Sequence, residues 1–141
     1  MKKQIVNAEQ APPAVGPYSQ AVRAGDFVFT AGQLGLVPGT KEMAGPDIES
    51  QTRQALQNLD AILEAAGSCL KHAVKATVYL ADISEFPSMN TAYAPFFSEA
   101  PPARAAVQAA ALPLGAKVMI DIVALACDCD GGNEPCDCEC A

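Results

Sequence analysis

"PPARAAVQAAALPLGAKVMIDIVALA", residues 101–126, is a pair of apolar runs joined by Leu112-Pro113-Leu114-Gly115. In the second run Val118, Ile120, Ile122 and Ala124 alternate with Met119, Asp121, Val123 and Leu125, the period-two pattern of a strand. Residues 103–111 and 117–126 therefore read as strands, and the LPLG turn between them predicts a hairpin whose paired positions sum to about 227. In that register Arg104 lies opposite Val123 and Asp121 opposite Ala106, with both charges on one face, a diagonal step apart. A guanidinium stays charged at any pH a protein meets, so burying Arg104 in such a run requires an anionic partner. Asp121 could be that partner, as a structural ion pair. Alternatively Arg104 grips a ligand carboxylate while Asp121 handles a proton or a water. The two charges alone leave both readings open.

Working outward, SQAVRAGDFVFTAGQ (19–33) predicts two short strands meeting at Gly25-Asp26, with Phe27 and Phe29 on one face and Val28 and Thr30 on the other. Residues 11–18, APPAVGPY, cannot sustain a helix and read as an ordered loop or extended arm. Ile48, Ala55, Leu56, Leu59, Ile62, Leu63 and Ala66 recur at helical spacing, which predicts a helix over 47–66 stopped by Gly67. Residues 71–82 alternate as a strand with Val74, Ala76, Val78 and Leu80 on one face. Ser84 is placed to cap a second helix whose apolar side holds Phe86, Met89, Tyr93 and Phe97. The order β-β-α-β-α-β-β gives an α+β domain with two helices on one face of a mixed sheet. The other face then needs cover, and oligomerisation is the simplest cover for a chain this short.

The chain has 141 residues, half of them apolar, which fits one domain with a substantial core. No window approaches the length of a membrane span, and MKKQIVNAEQ lacks the apolar segment of a secretory signal, so a cytoplasmic protein with no membrane association is expected. The net charge of −7 is uneven: residues 1–126 carry nine Lys and Arg against eleven acids, and the remaining −5 comes from residues 127–141. Neither part offers a basic stripe, which argues against a nucleic-acid partner. The domain is thus assigned to 1–126, and 127–141 to an acidic, Cys-rich tail whose composition favours disorder. Its thiolates, Cys127, Cys129, Cys136, Cys138 and Cys140, could hold a thiophilic metal, but their spacing matches no zinc module, and no metal site is assigned. Cys69 reads as a partly buried small residue and His72 as an exposed surface residue.

The segments "PPAVGPYSQAV" (12–22), "TAGQ" (30–33), "VKATVYLADISEFPSMNTAYAPFF" (74–97) and the P-A-R run of 101–126 together resemble the Rid family (YjgF/YER057c/UK114) of reactive-intermediate deaminases. The resemblance implies a chorismate-mutase-like fold assembled as a homotrimer, with ligand clefts between adjacent subunits. It implies hydrolysis of 2-imino acids such as 2-iminobutanoate and 2-iminopropanoate to 2-keto acids and ammonia, with no cofactor. The ligand is then a small 2-imino or 2-keto carboxylate. Residue by residue, Arg104 matches the family's carboxylate-binding arginine and Asp121 the glutamate associated with the attacking water. Tyr18, Gly32, Phe86 and Asn90 match positions around the ligand. Asp121 is shorter than glutamate by one C–C bond, roughly 1.5 Å, and Met119, Ala31 and Ala106 replace residues that are polar or thiol-bearing in many members. Two alternatives stand beside deamination: the endoribonuclease or translation-inhibitor activity of animal-type members, and a non-catalytic ligand-binding trimer.

Overall fold

The computed structural model describes residues 2–127. Its elements run β1 (Lys3–Val6), β2 (Ala21–Ala24), β3 (Phe27–Thr30), α1 (Ile48–Ala65), β4 (Ala73–Leu80), α2 (Phe86–Tyr93), β5 (Ala103–Gln108) and β6 (Val118–Leu125). The strands form one sheet in the order β1-β2-β3-β6-β4-β5. The pair β4 and β5 is parallel, and every other neighbouring pair is antiparallel.

The expected α+β sheet with two helices on one face is the observed architecture, but the hairpin between residues 103–111 and 117–126 is not. A parallel neighbour needs a crossover connection, and α2 supplies one between β4 and β5. The chain then returns past β4, and β6 enters antiparallel between β3 and β4. This is the natural place for β6, because Val118, Ile120, Ile122 and Ala124 are all fully buried, as a central strand requires. The new register separates the two charges. Arg104 sits opposite Ala76, itself opposite Ile122, whereas Asp121 sits opposite Thr77. One-residue offsets in a strand change face, so Arg104 points to the helix side of the sheet and Asp121 to the open side.

Helix α1 starts where Asp47 accepts a hydrogen bond from the Ser50 amide at 2.9 Å. It ends where Gly67 takes the left-handed conformation (φ +79°) and the Ser68 amide closes back on the Leu63 carbonyl. Its buried stripe, with Leu56, Leu59, Ile62 and Leu63, packs on Val28, Val78, Val118, Ile120 and Ile122 to make the core. Ser84 does not cap α2. Asp82 instead accepts from the Ser84 amide, closing a 3-10 turn over Ile83–Glu85 that leads into the helix. In β4 an irregularity between Ala73 and Lys75 throws Val74 out of register, so Ala73 takes the buried position and Val74 is exposed. Strand β1 has no counterpart in the sequence reading: only Val6 of its four residues is buried.

No helix among the described residues is long and apolar enough to cross a membrane. On the open side of the sheet Ile5, Phe27, Phe29, Val107 and Leu125 remain exposed, Phe29 by 46%.

Candidate functional site

Two places in the chain gather the residues singled out from the sequence. The first is built on α2. Phe86, Asn90 and Tyr93 recur at one helical face, and that face lies over the edge strand β5 where Arg104 emerges. The Arg104 Nη1 donates to Asn90 Oδ1 at 2.8 Å. Its Cζ stands 4.8 Å from the centroid of the Tyr93 ring and 5.3 Å from that of Phe86. The guanidinium is thus half-buried between aromatic faces and pinned by a neutral amide, a setting that lowers its hydration without cancelling its charge. Among the described residues no carboxylate forms an ion pair with it. Burial pushes the Tyr93 phenol above its ordinary range, and the Arg104 charge partly offsets that. The apolar pattern of α2 marks Tyr93 only as a core residue, although its spacing from Phe86 and Asn90 puts all three on one face.

The second place is a pocket of about 980 Å³ between the 11–18 arm, the segment after β3 and the β5–β6 connection. Tyr18 and Gly32 line it, with Met119 and Leu114. Buried side chains fix its walls. Gln20 holds the arm by accepting from the Ala8 amide at 2.7 Å and donating to the carbonyls of Ala8 (3.1 Å) and Pro12 (2.7 Å). Asn58, from α1, donates to the carbonyls of Leu34 and Leu36. A Cβ at Gly32 would lie 2.8 Å from the Met119 sulfur, so any larger residue there must push the flexible end of Met119 aside. The Tyr18 hydroxyl accepts from the Val15 amide at 3.1 Å, which ties the tip of the arm to its base.

The structure therefore brings Arg104, Asn90 and Phe86 together, and Tyr18 with Gly32, but it does not join the two groups in one chain. Met119 faces the open side of the sheet, opposite to Arg104. Asp121 belongs to neither group. Burial raises its pKa above the ordinary 3.8, and hydrogen bonds from the Tyr79 and Thr77 side chains pull it the other way. The same carboxylate raises the Tyr79 phenol, chiefly through its charge. The expectation that Asp121 lies beside Arg104 fails because strand β4 separates β5 from β6.

His72 is half-buried rather than exposed, with Nδ1 at 3.0 Å from Cys127 Sγ. Cys69 is buried rather than partly buried, and it and Cys127 are each engaged in a disulfide, which removes Cys127 from the thiolates considered for metal binding. The end of the last strand is anchored there, with the Cys127 amide donating to the Gly67 carbonyl at 2.9 Å. The other expectations for the tail, including Cys129, Cys136, Cys138 and Cys140, lie outside the described residues. Among the described residues no group of three or more His, Cys, Asp or Glu side chains could hold a metal ion.

A mixed sheet backed by two helices carries a half-buried guanidinium at its edge and, apart from it, an apolar pocket. Comparison with known proteins supplies the class. Residues 8–126 match the family model described as Endoribonuclease L-PSP, and the chain belongs to that family, the Rid/YjgF family. It is 49% identical over 124 residues to a RutC family protein of Pyrococcus horikoshii, covering 88% of this chain and 97% of that one. It is 42% identical over 123 residues to the 2-iminobutanoate/2-iminopropanoate deaminase of Bos taurus, covering 87% of this chain and 90% of that protein. Among solved structures, Escherichia coli TdcF with bound serine superposes with a TM-score of 0.83 at 38% identity, covering 86% of this chain and 98% of the other.

Proposed function

We propose that this protein is a 2-imino acid deaminase, hydrolysing 2-iminobutanoate, 2-iminopropanoate and related imines to 2-keto acids and ammonia. The observation that carries this reading is Arg104: a half-buried guanidinium, braced by Asn90, Phe86 and Tyr93, with no ion-paired carboxylate among the described residues. Such a group is built to receive an anion. The anion common to all 2-imino acids is the carboxylate, which a planar guanidinium fork meets with two parallel hydrogen bonds. The Bos taurus relative bears the name of this activity, and the TdcF structure holds serine, itself an α-carboxylate.

The chemistry asks little more of the protein. Water adds to the carbon of the protonated imine, and the resulting carbinolamine expels ammonia as the carbonyl forms. The site therefore needs chiefly to orient an electrophile and admit a water. Asn90 keeps its amide N–H groups for the ligand, because its oxygen is taken by Arg104.

The same reading includes a homotrimer with clefts between subunits. Two features support it: the apolar side chains exposed on the open sheet face, and the separation of the Arg104 group from the Tyr18–Gly32 pocket by the sheet itself. One ligand can touch both groups only where two copies meet.

The test couples this protein to an enzyme that releases 2-iminobutanoate from threonine, with semicarbazide present to trap free imine. The native protein should suppress trapping and accelerate keto-acid formation, while Arg104→Ala should lose at least a hundredfold in kcat/KM. A native protein with no effect on trapping would refute the reading. Endonucleolytic cleavage of RNA by a preparation inactive on imines would favour the activity named in the family description instead.

A further inference from the structure

The pocket behind Gly32 is oversized for the smallest imines. Its volume of about 980 Å³ lies at the upper end of small-molecule sites. Its walls include Met119, Leu114, Val15, Leu34 and Leu36, and of the polar residues that line it Gln20, Tyr18 and Thr40 already have hydrogen-bond partners within the chain. Gln20 spends its amide on the arm, and the Tyr18 hydroxyl is bonded to the Val15 amide. Lys41 is the charged side chain that lines it.

The second observation is independent. Leu114, at the rim, holds φ +57° and ψ +23°, in the left-handed region that glycine or asparagine adopts far more readily than leucine. The residue is 72% exposed, so packing within the chain does not compensate for the strain. Backbone strain of this kind persists at ligand clamps, where the side chain has work to do with what enters.

We propose that Leu114 and Met119 make this pocket the side-chain subsite of the deaminase, selecting 2-imino acids whose apolar side chain has about four or more non-hydrogen atoms over those with one- and two-carbon side chains. The class includes the imines that arise by oxidation of leucine, methionine and phenylalanine. The inference rests on the deaminase reading: the carboxylate docks at Arg104 of one copy while the side chain enters the pocket of the next. Met119 supplies a polarizable floor that adapts to branched and unbranched chains. Leu114 covers the chain from above.

The experiment generates imines in situ with a flavin amino-acid oxidase, from D-leucine and from D-alanine, and measures kcat/KM for each by semicarbazide competition. The leucine-derived imine should exceed the alanine-derived one by at least about tenfold. Leu114→Gly fits the observed backbone better than leucine and so should fold, and it should cut that ratio about threefold or more. Met119→Glu should cut it further. Calorimetric binding of 4-methyl-2-oxopentanoate against pyruvate should show the same order. Hydrolysis of both imines at similar rates, or a ratio untouched by Leu114→Gly, would overturn the assignment while leaving the deaminase reading intact. Hydrolysis of neither imine would overturn the deaminase reading, and this assignment with it.

Discussion

Arg104 owes its setting to one helical face, and its neighbours predict how it fails. Arg104→Lys keeps the charge but loses the planar fork, so steady-state assays should show kcat/KM falling at least about tenfold, with most of the loss in KM. Asp121 should behave in the opposite way. Its carboxylate faces the open side of the sheet with Thr77 and Tyr79, so Asp121→Asn should leave imine hydrolysis within about twofold of native. Its effect belongs to stability. Because burial raises the folded-state pKa above 3.8, ionising Asp121 costs the folded protein stability. That penalty is absent below the unfolded value, sets in as pH rises through the folded value, and is full at neutrality. Thermal melts should therefore show Asp121→Asn above native at pH 7, with the gap closing below about pH 4. Arg104, Asn90 and Phe86 could be picked from the sequence because the chemistry and the motif agree on them. The partnership of Arg104 with Asp121 could not, because alternation within a strand says which face a residue takes relative to its own neighbours and nothing about which strand lies alongside.

At the scale of elements, the pocket depends on two buried amides that fix irregular backbone. Gln20→Ala would leave the Ala8 amide and the Pro12 carbonyl without partners, and denaturant titration should show a loss of about 1–3 kcal/mol. The same variant should raise KM by loosening the arm that carries Tyr18. Helix α1 was legible because its apolar stripe repeats over several turns, and β6 because its alternation is strict. Strand β1 was not: four residues with one buried side chain carry no periodic signal. The α2 crossover also hid itself. With eight residues the helix is short, and only the parallel pairing of β4 with β5 shows that it is a β-α-β connection rather than an excursion before a hairpin.

At the scale of the molecule, the exposed face bearing Ile5, Phe27, Phe29 and Leu125 is where the proposed homotrimer would join assembly to activity. Phe29→Glu places a charge at its middle, and sedimentation should show single chains in place of trimers, with imine hydrolysis lost in parallel. The sequence allowed an uncovered face to be inferred from helix count alone. It could not show that the sheet would put Arg104 and the pocket on opposite sides. That separation makes a shared site the central claim, and mixing two inactive variants tests it most directly. Arg104→Ala removes the anion receptor; Gly32→Leu fills the pocket against Met119, whose flexible end can shift to admit it. Each alone should be inactive. Co-refolded in equal amounts, they should regain about a quarter of native activity, the share of clefts in which an intact Arg104 of one copy meets an intact pocket of another. A mixture no more active than its separate parts would contradict the account.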